Sequence, residues 1–105
     1  MAQYDVYPNP SRSAAEGLPY VVVIQSDLLD ALPTRMTVPL ADADAPGGRM
    51  PAALCPVVVV KGRRLNALAH YAAPLPAKLL RQPVGNVAAQ ASVLVAAIDA
   101  VLSGF

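Results

Sequence analysis

Between Ala91 and Leu102 the chain carries a single charge, Asp99. Val87, Ala91, Leu94, Ile98 and Val101 repeat at the spacing of one helix face, and Val93, Val95, Ala96, Ala97 and Ala100 make the other faces apolar too. A helix that is apolar all round has to be covered, by a core or by a partner. Asn86 is placed to cap its start and Gly104 to end it.

Upstream, the sequence reads as short strands cut by proline and glycine. Residues 3–7 alternate aromatic and β-branched side chains, the pattern of a strand, which Pro8 and Pro10 end. Residues 18–26 contain Tyr20-Val21-Val22-Val23-Ile24, a run suited to a strand buried on both faces. Residues 27–33 read as a turn or short helical turn. Residues 35–40 make a third strand, whose Pro39 has no N–H and so predicts an edge position or a strand end. Residues 41–53 are rich in Ala, Asp, Pro and Gly and predict a loop or small protruding flap. Residues 56–60 read as another buried strand. Lys61-Gly62, with Arg63 and Arg64, makes a tight basic-tipped hairpin into residues 65–70. Residues 71–83 contain Pro74, Pro76 and Pro83 and read as extended and irregular. The sum is a mainly β chain of about five antiparallel strands with one C-terminal helix. A small partly open barrel or curved sheet fits it, as one domain over residues 1–105.

Composition narrows the function. Hydrophobic residues are 55% and charged residues 14%, against about 25% charged in ordinary domains. Disorder is excluded as the dominant state, and a partly covered surface is implied. A net charge of +1 leaves no basic stripe for phosphate neutralisation. One cysteine and one histidine exclude a disulfide framework, a multi-cysteine zinc site and a His-rich metal centre. No cofactor is expected. No apolar run reaches the roughly 18 residues of a membrane span, and the N-terminus has no secretory pattern. A cytoplasmic protein is the expectation.

Catalytic candidates are few. Cys55 reads as a small buried hydrophobe rather than a nucleophile, because no base is evident beside it. His70 reads as structural. Asp27 and Asp30 flank two leucines and read as turn caps rather than an acid–base pair. Asp42 and Asp44 read as solubilising charges. Lys61, Arg63 and Arg64 read as a solvated hairpin tip. Phe105 is either a contact residue at the chain end or a hydrophobic lid folded back on the helix.

Read together, these segments carry a resemblance. Val23-Ile24-Gln25-Ser26-Asp27-Leu28-Leu29-Asp30, followed by Arg35-Met36-Thr37-Val38-Pro39-Leu40, is its most specific part. Gln3-Tyr4-Asp5-Val6-Tyr7, Pro56-Val57-Val58, Ile98-Asp99 and Gly104-Phe105 follow in the same order and spacing. The chain resembles the CcdB family, the toxin component of bacterial toxin–antitoxin modules. The resemblance implies an SH3-like β-barrel with a flap and a C-terminal helix, assembled as a homodimer. It implies binding to the GyrA subunit of DNA gyrase, trapping of the cleaved-DNA complex, and no catalysis by the toxin. It also implies neutralisation by a CcdA-like antitoxin whose disordered segment orders on binding, and transcriptional autoregulation with that antitoxin. The gyrase-facing residues implied are Gln3, Tyr4 and Tyr7, then Ser26, Leu28 and Leu29, then Asp99, Leu102, Ser103, Gly104 and Phe105. The best-known members end Trp-Gly-Ile, with the tryptophan a central anchor; here Ser103 stands at that place and the chain has no tryptophan.

Two alternatives accompany this reading. One is a protein of the same fold that pairs with an antitoxin but has lost or changed its gyrase target. The other is an endoribonuclease like the related MazF and Kid toxins, which needs a basic RNA groove. Arg12, Arg35, Arg49 and residues 61–64 are the only cations offered for one by that reading.

Overall fold

Valine runs and alternating apolar residues build the sheet, and short turns set its order. The computed structural model describes residues 2–43 and 54–104. Among them, seven strands follow in chain order: β1 (Asp5–Pro8), β2 (Tyr20–Val23), β3 (Thr34–Asp42), β4 (Val57–Val60), β5 (Arg63–Ala67), β6 (Ala73–Pro76) and β7 (Gly85–Asn86). One helix, α1 (Ala91–Ser103), closes the chain. The strands form one antiparallel sheet ordered β4-β5-β3-β2-β1-β7, with β6 added beside β3. The result is a nearly closed antiparallel barrel with a C-terminal helix, the fold class that the sequence predicts. None of the described helices is long and apolar enough to cross a membrane.

β2 is buried on both faces, as its run of valines predicts. Val22 joins Val6, Val38, Leu40, Val58, Leu65 and Leu94 in the main core, while Val21 and Val23 join Tyr7 and Leu80 on the other side of the sheet. At the β4–β5 hairpin, Lys61 and Gly62 both have positive φ (51° and 78°), the conformation of a primed two-residue turn. The basic tip, residues 61–64, is exposed, as expected, and one of its charges is paired. Arg63 reaches Asp42 at 3.1 Å and lies 5.6 Å from the centre of the Tyr20 ring.

Proline placement departs from the sequence reading. Pro39 neither ends β3 nor lies on an edge. The Ile24 N–H donates to Met36 O, so the even-numbered residues of β3 direct their backbone groups at β2. Pro39 faces the other way, and its carbonyl accepts the Leu68 N–H. Its missing donor falls between two ladders, because β3 pairs with β6 up to Thr37 and with β5 from Leu40. The expected irregular stretch 71–83 holds a strand for the same reason. Pro74 and Pro76 lie opposite Met36 and Thr34, whose backbone groups face β2. Both prolines therefore turn their nitrogens away from the ladder and cost it no hydrogen bond.

β4 is an edge strand rather than a fully buried one. Val58 and Val60 point inward, while Val57 and Val59 are 39% and 47% exposed. Its free edge is partly covered by a side chain: the Gln90 amide accepts from the Val59 N–H (3.0 Å) and donates to the Val59 carbonyl (3.3 Å). The strand expected over residues 65–70 stops at Ala67, and Ala69–Tyr71 forms a 3₁₀ turn. Of the expected flap, Ala41 and Asp42 complete β3, and residues 44–53 lie outside the described residues.

The helix starts later than predicted. Asn86 belongs to β7 and its Oδ1 accepts from the Ala88 N–H, capping a 3₁₀ turn (Ala88–Gln90) that leads into α1. The buried residues of α1 are Leu94, Ala97 and Ala100, while Val101, near the end of the helix, is exposed. Alanine at two of those positions lets the helix approach the Ala69–Tyr71 turn closely. Gly104 stops the helix in the left-handed conformation (φ 81°), its N–H donating to Ala100 O.

Substituting Val23→Asp or Val58→Asp is expected to unfold the protein, since either buries an unpaired charge. Gln90→Ala should keep the fold and lower its stability by about 1 kcal/mol through two lost hydrogen bonds. Thermal denaturation followed by circular dichroism checks both, and a cooperative Val58→Asp variant would contradict the packing described.

Candidate interaction surface

The N-terminal turn is tied to three parts of the chain. The Gln3 N–H donates to Asp27 Oδ1 (2.7 Å), its Nε2 donates to Ile24 O (2.9 Å), and its carbonyl accepts from Asn86 Nδ2 (3.2 Å). Tyr4 stands in the left-handed region (φ 70°), an uncommon place for a bulky residue. It is held there from both sides. Its N–H donates to Val23 O (2.6 Å) and its carbonyl accepts from the Val87 N–H (2.9 Å). Residues 3 and 4 therefore form a turn before β1, not the first half of a strand.

This turn makes one wall of a groove of about 140 Å³. Gln3, Tyr4 and Ile24 line one side, and Leu94, Val95, Ile98 and Asp99 of α1 line the other. The walls are apolar except for Gln3 and the Asp99 carboxylate, which has no ion-pair partner among the described residues. Asp99 also lies in the C-terminal half of the helix, where the macrodipole disfavours a negative charge.

Beside Gln3, Asp27–Leu29 forms a 3₁₀ turn capped by Ser26, whose Oγ accepts the Leu28 N–H. Asp27 is thus a strut to Gln3 rather than the cap. The turn presents Leu28 to solvent at 94% exposure and leaves Leu29 half exposed. At the far end of α1, Leu102 is 80% exposed, three residues beyond Asp99 and seven beyond Val95 on the same side of the helix. The Ser103 hydroxyl donates back to Asp99 O (2.6 Å), closing the last helical turn on itself.

Of the residues nominated from sequence, Gln3, Tyr4 and Asp99 meet in the groove. Ser26, Leu28 and Leu29 sit on the turn fastened to it. Leu102, Ser103 and Gly104 end the helix. Phe105 lies outside the described residues. Tyr7 is a correction: it is 2% exposed and packs with Val21, Val23 and Leu80, so it offers no surface to a partner. β1 runs within the sheet with packed layers on both faces, so Val6 and Tyr7 are both buried although they point to opposite sides. Burial, then the Asp5 carboxylate 3.4 Å away, pushes the Tyr7 phenol above its ordinary pKa. Sequence reasoning missed Ile24, Leu94, Val95 and Ile98 as groove residues. The helical spacing of Val95, Ile98 and Asp99 was the signal for the α1 side.

The fold also joins Cys55 and His70, which the sequence left separate. Cys55 Sγ lies 3.7 Å from His70 Nδ1. Cys55 is buried, and burial raises its thiol pKa, the wrong direction for a nucleophile. The His70 ring also packs against that of Tyr71, tilted by 44° with 4.3 Å between centres. Among the described residues, no three His, Cys, Asp or Glu side chains group as metal ligands.

A nearly closed antiparallel barrel, ending in a helix that leaves apolar side chains exposed, defines the class. The chain matches the family model described as CcdB protein over residues 3–104. It belongs to the CcdB family, the toxins of bacterial toxin–antitoxin modules, which is not a family of catalytic enzymes. No curated protein matches it in sequence.

Two measurements check the local geometry. Tyr4→Ala should destabilise the fold more than Tyr4→Gly, by about 1 kcal/mol, because only glycine adopts positive φ without cost. Equal stabilities would remove the strain assigned to Tyr4. Alkylation of Cys55 near neutral pH should be at least about tenfold slower in the folded protein than in the unfolded chain, since its burial keeps the reagent from the sulfur and disfavours the thiolate.

Proposed function

We propose that this chain is the toxin of a type II module that binds the GyrA subunit of DNA gyrase and traps its cleaved-DNA complex. The observation that carries this reading, beside the family, is the pair of leucines held out to solvent next to one groove. Leu28 stands on the turn fastened by Gln3, and Leu102 lies one helical turn beyond Asp99. Leaving two leucines so exposed gains the isolated chain nothing, and it suits a surface that binds. Exposed Val93 and Val101 support a homodimer that covers part of α1. A twofold dimer offers the same patch twice to a twofold target. The toxin makes and breaks no bond; it binds the cleaved state better than the religated one and shifts gyrase toward it. This takes place in the cytoplasm. A cognate CcdA-like antitoxin orders a disordered segment on the dimer, neutralises it and takes part with it in autoregulation.

Where the best-known members of the family end in Trp-Gly-Ile, Ser103 stands at the tryptophan's place and turns its hydroxyl back onto the helix. Leu102 and Phe105 then supply the apolar contact at this end. The same observation favours a second reading, an antitoxin-binding protein whose gyrase target is lost or changed. An RNA-cleaving reading loses support, because Arg35 is buried and Arg63 is engaged by Asp42.

A supercoiling and cleavage assay with purified gyrase tests the proposal. Gyrase-linked linear DNA should accumulate with added protein. Leu28→Glu and Leu102→Glu should each weaken the effect at least about tenfold while the protein stays folded, by loss of an apolar anchor. Removal of Gly104 and Phe105 should abolish it. A folded dimer that produces no cleavage and no inhibition overturns the gyrase reading and leaves the second.

A further inference from the structure

Among the described residues Arg35 is the one buried charged side chain, 7% exposed. Its guanidinium serves a single stretch of chain. Nη1 donates to Leu32 O and Thr34 O, Nη2 donates to Asp30 O (2.9 Å), and Nε lies 3.5 Å from Asp30 Oδ1 without forming a hydrogen bond. Burying a cation is costly, and an apolar side chain of similar length fills such a space at less cost. The benefit of the arginine therefore lies in what it holds.

What it holds is otherwise tied from outside at its two ends, where the Gln3 N–H donates to Asp27 Oδ1 and the Ala77 N–H donates to Pro33 O. Residues 27–34 are all exposed, so no apolar anchor fixes them from within. Their local bonds are those of one short turn, with Leu29, Asp30 and Leu32 amides donating to Ser26, Asp27 and Leu29 carbonyls. The Gln25 amide adds contacts to Leu29 O and Thr34 O. Arg35 itself sits on β3, opposite Leu75 of β6 and two residues before the ladder with β2 begins at Thr37. A planar fork reaching several carbonyls from a rigid strand can pin a loop that packing does not pin.

We propose that Arg35 is a positioning residue that sets the 27–34 loop, so that Leu28 and Leu29 are already in place when the partner arrives. The inference rests on the proposal that this turn contacts the gyrase subunit. An exposed leucine on a loose loop loses ordering entropy when it binds; a preset one does not. Arg35 touches no partner and acts through Leu28.

The test joins Arg35→Met with Leu28→Ala in a double-mutant cycle on binding to the purified GyrA subunit. Backbone amide exchange is measured on the same proteins. Arg35→Met is expected to speed exchange at Leu29, Asp30 and Leu32 at least about tenfold, with amides in β2 unchanged, because only the loop loses its support. Binding should weaken at least about tenfold, and Leu28→Ala should then cost less than in the parent protein, since coupled residues are not additive. Strict additivity, or unaltered loop exchange, overturns the proposal. Arg35→Lys keeps the charge but has no planar fork, and should shift the same readouts the same way by a smaller factor. It decides the matter if Arg35→Met does not fold. If Leu28→Ala leaves binding unaltered in the parent protein, the gyrase reading of this turn fails, while amide exchange still reports whether Arg35 holds the loop.

Discussion

β3 is paired along both edges, and most of the molecule is arranged around that fact. β2 lies against one edge, and β6 and β5 divide the other. Its middle is held by neighbours on both edges, and its side chains serve both faces of the sheet. Val38 and Leu40 enter the main core on one face. Thr37 on the other face is buried, its hydroxyl donating to Ala73 O of β6. The single proline within β3 survives only because its missing donor coincides with the change of partner. Arg35 projects from the same rigid strand into the loop that carries the exposed leucines.

The interaction surface is assembled from parts that fold for other reasons. The N-terminal turn exists because Tyr4 is bonded on both sides, to β2 and to the segment before α1. Gln3 then links that turn to the Asp27–Leu29 turn, and α1 supplies the opposite wall of the groove. Each part is anchored by polar bonds or by one buried stripe, which leaves the remaining apolar side chains free to face outward. The scarcity of charge is consistent with this arrangement, since a surface with few ions is cheap to desolvate when a partner covers it.

Much of the fold was legible. The double burial of β2, the primed hairpin turn, the turn at Asp27–Leu29 and the glycine stop of α1 all follow from local patterns. Misreadings share one cause. Pro39, Pro74 and Pro76 show in the sequence only that a donor is missing, whereas what matters is the direction in which the missing donor points. That direction depends on which strand lies opposite. Val57 and Val59 looked buried because a run of valines does not reveal that one side of the strand is an edge. Tyr7 resembled a surface residue of the first strand, yet both faces of β1 are covered.

Local sequence determined which segments extend, which turn, and which one coils into a helix, because backbone preference and apolar spacing act over a few residues. It also determined, through low charge and an apolar helix, that some of the surface awaits a cover. Only the tertiary structure decided which nominated residues meet: Gln3 and Tyr4 reach Asp99 across a groove, Tyr7 turns into the core, and Cys55 finds His70. Those outcomes depend on strand order and on which face is packed. Both are set by contacts between residues far apart in the chain, to which no local pattern gives access.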